Sequence, residues 1–431
     1  MTATPERLAG RTMDLVIDAL DDTGAGIAIH AGQTLRVPHT LPGDRVVAQP
    51  AGAGHARALS WTTRGAQHAT PPCAAFGRCG GCALQHLADG PYRAWKQDIA
   101  RHAAARAGFP DAPVDALKVS PPATRRRATL AAVRSAAGPV LGFHAPASHD
   151  IVDIARCEVL CAGLMDFVAP LRHALGGVLA PAARCDIALT WTMSGIDAVV
   201  IGPQTHAALA PLAALPGLAR LSRAIGADRE PELVALHTAP RIDFDGIILE
   251  PPPHAFLQAT APGEAAIRAA VMAGLGKAKR IADLFAGCGT LALPLARARQ
   301  VLAVDTSAPA LAALDRAARA AGLGPRLRVA VRDLARRPLI GDELAEFDAV
   351  IFDPPRDGAA AQAEALAKSA IARVVAVSCN PASFARDAAL LAAGGFRLER
   401  LTPIDQFLWS PHLELVGVFA RPRAGRPPPR R

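Results

Sequence analysis

Apolar positions along the chain keep two different rhythms. From Leu15 to Leu59 they form short runs, Leu15-Val16-Ile17, Gly26-Ile27-Ala28-Ile29, Leu35-Arg36-Val37-Pro38 and Arg45-Val46-Val47-Ala48, separated by the turns Asp22-Thr23-Gly24 and Pro42-Gly43-Asp44. Short strands at this spacing predict a small β-barrel. Between about Arg125 and Glu250, β-like runs (Ala128 to Val133, Ile187 to Trp191, Ala198 to Ile201, Ile247 to Leu249) alternate with alanine-rich helical stretches, which predicts an α+β region. His206 and His237 in this region are read as surface or packing residues. From Ile281 onward the apolar runs become continuous and helical periods follow them: a strand from Ile281, then Val301 to Asp305, Phe347 to Phe352 and Val374 to Val377. That succession predicts an open α/β sheet buried on both faces.

Chemistry-bearing residues collect at the ends of these strands. The first strand runs into Asp283-Leu-Phe285-Ala-Gly287-Cys-Gly289-Thr290, and the second closes on Asp305. Glycines in the first turn let a ligand approach the backbone, and an acid ending the second strand suits ribose hydroxyls. The third glycine of the dinucleotide fingerprint is missing, which disfavours NAD. The run Phe347 to Phe352 ends in Asp353-Pro354-Pro355-Arg356, and Val374 to Val377 delivers Cys379 in Ser378-Cys379-Asn380-Pro381, ahead of a helical segment from Ser383. A cysteine at that edge is placed as a nucleophile, whereas alone it would read as core filling. Glu414 lies in the run Leu413 to Phe419 and, taken by itself, reads as a charged residue alternating outward.

Eight cysteines occur in 431 residues, and three of them crowd into Cys73-x5-Cys79-x2-Cys82 before a helix-like stretch from Tyr92 to Ala107. In a reducing compartment this grouping points to a metal or cluster rather than disulfides. Cys157 is the best candidate for a fourth thiolate and Cys161 the fallback; zinc and iron-sulfur both accept four thiolates. Net charge is +9. It suits a polyanionic partner, or else reflects an arginine- and alanine-rich composition. No stretch of membrane-spanning length is free of Arg, Asp, His or Pro, and no signal-peptide core is evident, so a soluble, cytoplasmic protein is expected.

The first region resembles a TRAM domain, an OB-like RNA-binding module, in Gly24-Ala-Gly26-Ile-Ala28 and in Val37-Pro38 to Leu41-Pro42-Gly43-Asp44. The cysteine spacing with its trailing Gln85-His86, together with Arg125-Arg126-Arg127, resembles the iron-sulfur region of bacterial uracil-5 RNA methyltransferases. Phe256-Leu-Gln258, Asp-Leu-Phe-Ala-Gly-Cys-Gly, Asp-Pro-Pro-Arg, Ser-Cys-Asn-Pro and Pro411-His412-Leu413-Glu414 then occur in the order of the RNA 5-methyluridine methyltransferase family. The resemblance is closest to the 23S rRNA branch and covers nearly the whole chain.

This resemblance implies a class I (Rossmann-like) methyltransferase domain over 251–420, a TRAM-like barrel over 1–65 and a central α+β domain over 66–250 carrying the cysteine cluster; the Arg- and Pro-rich composition of 421–431 predicts a disordered basic tail. It implies Cys379 as nucleophile and Glu414 as base. S-adenosyl-L-methionine would be held by Gln258, Phe285, Gly287, Gly289, Thr290, Asp305, Asp333 and Asp353, and a 4Fe-4S cluster by Cys73, Cys79, Cys82 and Cys157. The implied partner is 23S rRNA, bound by a monomer. Departures are Asp305 for a commoner glutamate, Phe285 for a frequent tyrosine, and Arg316-Ala-Ala-Arg-Ala-Ala-Gly322 for an Asn-rich segment. Aromatic residues are only 4%, with Tyr92 the sole tyrosine, so stacking on RNA would rely on Phe256, Phe407 or Trp409. Cytosine-5 methylation, uracil-5 methylation of tRNA and an inactive iron-sulfur RNA-binding protein are the competing readings.

Overall fold

In a computed structural model, residues 12–52, 54–226 and 229–421 are described. The core of the molecule is an eight-stranded sheet in the order Leu327–Val331, Gln300–Asp305, Arg280–Leu284, Ala349–Phe352, Arg373–Ser378, Glu414–Ala420, Arg397–Asp405, Lys118–Val119. The first five strands are parallel, and Glu414–Ala420 then inserts antiparallel between Arg373–Ser378 and Arg397–Asp405. Helices cover both faces. On one, Ile267, Val271 and Leu275 of the Ala261–Leu275 helix and Leu311 and Leu314 of Ala308–Ala320 pack on Ile281, Val301, Ile351, Val375 and Val416. On the other, Ile99 and Ala103 of Asp89–Arg106 and Phe384 and Leu391 of Pro381–Ala393 meet Leu284, Val350, Val374 and Phe419. Double coverage is why the Ala349–Phe352 strand reads as an unbroken apolar run.

It also corrects one expectation. All seven residues of Glu414–Ala420 are buried, so Glu414 does not alternate outward into solvent. The helix Asp89–Arg106 packs on this sheet although it lies within the 66–250 segment.

Between Arg127 and Leu236 that segment builds a seven-stranded sheet with the helix Ala162–Val178 on one face, enclosing Leu130, Leu141, Leu164, Leu171, Ile187 and Val200. The N-terminal strands form two three-stranded sheets, one of Met13–Val16, Arg45–Pro50 and Ala56–Thr63, the other of Ala19–Leu20, Gly26–His30 and Gln33–Val37. They share a core of Leu15, Ile17, Ala28, Leu35, Val37, Val46, Ala48 and Ala56 and are bridged at Arg36 and His55. The expected barrel thus takes the form of two small sheets on one core. Arg421, the first residue of the expected tail, donates to the carbonyls of Gly394 and Ala367 and stacks on Phe396 at 4.4 Å. Residues 422–431 lie outside the described residues. Among those described, no helix is long and apolar enough to cross a membrane.

Candidate active site

In open α/β sheets the working crevice lies beyond the carboxyl ends of the strands, where strand order reverses. Here the reversal falls at Arg280–Leu284, flanked by Gln300–Asp305 on one side and Ala349–Phe352 on the other. The turn after it carries Phe285, Gly287 and Gly289, all at positive φ (62°, 53° and 85°). A Cβ on Gly289 would stand 2.4 Å from Leu314 Cδ1, whereas one on Gly287 would meet nothing within 4 Å. The first glycine in the pair therefore leaves open space above the turn, and the second lets the Ala308–Ala320 helix close beneath it. Gly287 N–H donates to Asp305 Oδ2 at 2.9 Å, and Ser307 N–H to Oδ1 at 2.7 Å. Thr290 follows at the edge of the same turn, half-buried. Asp333 accepts from the N–H groups of Ala335 and Arg336, closing the loop after the outermost strand.

Below the turn Asp283 is buried with Oδ2 unpartnered, and burial, then the charges of Asp353 and Asp305, push its carboxyl up to about 8. These features suit a nucleoside cofactor: a bare cradle, an acid at the second strand end and an unsatisfied polar atom beneath.

Sheet register settles the relation of Cys379 to Glu414. Ser378 pairs with Leu415 in antiparallel register, so the next positions outward on the two neighbouring strands are Cys379 and Glu414. Phe352 pairs with Ala376 on the other flank, which brings Asp353 to the same edge. Asn380 holds the corner. Its Oδ1 accepts from Ala382 N–H, capping the Pro381–Ala393 helix, and its Nδ2 donates to the Arg356 carbonyl at 3.1 Å, fixing the Asp353-to-Asp357 loop.

The electrostatics follow from this crowding. Burial, then the carboxylates of Glu414 and Asp353, raise the Cys379 thiol to about 11, with Arg356 opposing them. Burial and the charge of Asp353 push Glu414 well above the usual carboxylate range, and burial raises Asp353 too. A carboxylate so raised is a stronger base. Gln258 is buried and donates from Nε2 to Asp353 Oδ2 at 3.1 Å.

Four of the cysteines share a second cavity. Cys73, Cys79, Cys82 and Cys157 line one cavity of about 540 Å³, together with Arg125, Arg356, Phe407 and His412. Cys161, the fallback, lines a different cavity beside Trp191. Burial raises Cys82 to about 12, and the charges of Cys157, Cys79 and Cys73 add to it. Gly81 N–H points at Cys79 Sγ, 3.4 Å away. Among the described residues no three His, Cys, Asp or Glu side chains are grouped so as to hold one metal ion.

One loop separates the thiol-lined cavity from the crevice of Cys379. Trp409 carbonyl accepts from the N–H groups of both Ala83 and Leu84, just past Cys82, at 2.8 and 3.0 Å. Buried Lys96 donates to Asp405 Oδ1 at 3.2 Å and to the His412 carbonyl, and Tyr92 donates to Asp405 Oδ2 at 2.5 Å. Arg356 closes the wall by donating to His412 Nε2 at 2.9 Å. Of the residues expected to stack on RNA, Phe256 is 65% exposed and lies under the Arg127 guanidinium at 4.5 Å, while Phe407 packs edge-on against His412. No sequence signal marks Lys96, on the Asp89–Arg106 helix, or Gln406, a buried polar residue just after the Arg397–Asp405 strand, because neither belongs to a spacing pattern.

A family model for tRNA (uracil-5-)-methyltransferase matches residues 327–422. An uncharacterized RNA methyltransferase of Brucella suis is 42% identical over 422 residues, covering 96% of this chain and 99% of its own length. The 23S rRNA (uracil(1939)-C(5))-methyltransferase RlmD of Chromohalobacter salexigens is 34% identical, covering 94% of this chain and 89% of its own. In fold, the chain is similar to the crystal structure of Pyrococcus abyssi tRNA (uracil-54, C5)-methyltransferase in complex with S-adenosyl-L-homocysteine, at a TM-score of 0.72 and 22% identity, covering 95% of this chain and all of that one. By sequence, by fold and by the succession of strand-end motifs, this chain belongs to the RNA uracil-5 methyltransferase family.

Proposed function

We propose that the protein methylates C5 of a uridine in 23S rRNA through a transient bond between Cys379 and C6 of the base. The observation carrying this reading is the strand register that sets Cys379 and Glu414 side by side at one sheet edge. The branch assignment is supported by the RlmD relative, which matches the chain over nearly its full length.

Uracil C5 is a weak nucleophile. When Cys379 adds to C6, the C5=C6 electron pair is released toward the C4 oxygen and C5 becomes nucleophilic. S-adenosylmethionine, when bound, supplies a methyl group on a positively charged sulfur. Gln258, Phe285, Gly287, Gly289, Thr290, Asp305, Asp333 and Asp353 would hold it, with the open space over Gly287 receiving it. After transfer C5 carries both methyl and hydrogen. Glu414 takes that proton, the C5–H electrons restore the double bond, and the Cys379 thiolate leaves. The free thiol is held protonated by burial and by two neighbouring carboxylates, so attack requires a base to take its proton; Asp353 would be that acceptor, leaving Glu414 ionised for the C5 proton. The target base must leave its stack to enter the crevice.

For the thiol-lined cavity we propose a 4Fe-4S cluster, which Cys73, Cys79, Cys82 and Cys157 would hold through their thiolates. Support comes from four free thiols lining one cavity, with an N–H donor aimed at one sulfur. The cluster would order the RNA-facing wall and takes no part in the chemistry above. The N-terminal sheets, in the TRAM-like reading, would contribute RNA contacts.

Incubation with labelled S-adenosylmethionine and undermodified ribosomal RNA, then nucleoside analysis, tests the function. Labelled 5-methyluridine in 23S rRNA is expected; 5-methylcytidine, or label in tRNA alone, would contradict it.

A further inference from the structure

Between the two acids of the site lies a buried amide. Gln406 follows the Arg397–Asp405 strand and is 2% exposed. Its Nε2 donates to Glu414 Oε1 at 2.9 Å and to Gln258 Oε1 at 2.6 Å, and Gln258 donates onward to Asp353. A side-chain amide has two N–H protons, and both are spent here. That choice orients its neighbour: with its oxygen turned to Gln406, Gln258 must present its nitrogen to Asp353. Glu414 Oε2 has no partner, so among the described residues Gln406 supplies the hydrogen bond that holds this carboxyl. Space is reserved for the arrangement. A Cβ on Gly263, in the first turn of the Ala261–Leu275 helix, would fall 2.6 Å from Gln406 Cβ and 3.2 Å from its Oε1.

We propose that Gln406 is a positioning residue for proton removal from C5, fixing the Glu414 carboxylate at the head of a chain of hydrogen bonds through Gln258 to Asp353. The proposal rests on the role given to Glu414 above. Charged and titratable groups facing Glu414 are Asp353, which disfavours its ionised form, Arg356, which favours it, and the protonated Cys379 thiol, whose own ionisation the Glu414 charge opposes. Gln406 is the neutral donor that opposes the rise caused by burial and by Asp353. Without it, Glu414 should hold its proton to higher pH and swing free of C5.

Gln406→Met keeps the length of the side chain and removes both donors. RNA containing 5-fluorouridine traps Cys379 before any proton is removed, because fluorine occupies the C5 position. In the presence of S-adenosylmethionine, the variant is expected to form this trap to wild-type extent. Turnover to 5-methyluridine should fall on the order of tenfold, the worth of a hydrogen bond to a charged group. The rising limb of its rate–pH profile should move to higher pH, and adduct should accumulate on ordinary RNA. Gly263→Ala, which crowds the same side chain from the helix, should give a milder form of the same split. Wild-type turnover and pH profile in Gln406→Met would overturn the proposal. So would equal loss of trapping and turnover, which marks a structural role alone. If wild-type protein forms no trap, the thiolate mechanism itself falls and this proposal with it, an outcome distinct from the other two.

Discussion

At the scale of single residues, burial makes Cys379 a reluctant acid and Glu414 a strong base. Only the ionised form of Glu414 can accept the C5 proton, and its proton affinity is raised above that of an ordinary carboxylate. Turnover should therefore climb as pH rises beyond the usual carboxylate range and through neutrality, checked by single-turnover rates across pH. A flat profile there would contradict the assignment. Glu414→Gln should accumulate a Cys379 adduct on ordinary RNA, seen as a slower band on denaturing gels, with turnover reduced by at least about a hundredfold. Cys379 is legible in the sequence because an apolar run and Ser-Cys-Asn-Pro place it at a strand end. Glu414 is legible only by resemblance, since alternation along Leu413 to Phe419 argues for an exposed position and the inserted antiparallel strand buries it. Gln406 is legible by neither route: its role depends on a side chain folding back across the sheet edge to meet Gln258, 148 positions away in sequence.

Elements explain how the site keeps its shape. The Asp89–Arg106 helix reaches across the sheet to fix the loop from Asp405 to His412 through Lys96 and Tyr92. Lys96 and Asp405 are fully buried, so Lys96→Ala would leave an uncompensated carboxylate and should cost about 3–5 kcal/mol of stability by denaturant unfolding. Gly289→Ala would meet both a positive φ and the Leu314 side chain, and should lower the melting temperature while weakening S-adenosylmethionine binding measured by calorimetry. The parallel strands are readable from continuous apolar runs, each ending in a turn residue. The N-terminal strands are readable too, but their division into two small sheets is not, because pairing partners depend on contacts distant in sequence. The same holds for the Asp89–Arg106 helix: its apolar face predicts a helix and says nothing of which sheet it serves.

Across the whole molecule, the thiol-lined cavity and the crevice of Cys379 share one wall, the loop from Phe407 to His412 with Arg356 behind it. If the four thiols hold a cluster, anaerobically purified protein should contain about four iron and four sulfide per chain and absorb broadly in the visible. Cys82→Ser should lose that iron and the colour with it. Colourless, iron-free protein from anaerobic preparation would count against the cluster and leave the methyl-transfer chemistry standing. That chemistry hinges on a bond between one sulfur and one pyrimidine carbon, beside the carboxylate that completes the reaction. Its most direct test is the intact mass and peptide map of protein incubated with S-adenosylmethionine and 5-fluorouridine-substituted 23S rRNA fragments. A covalent protein–RNA species whose cross-linked peptide contains Cys379, absent in Cys379→Ala, is the expected result. A cross-link at another residue, or methylation proceeding unimpaired in Cys379→Ala, would contradict the account.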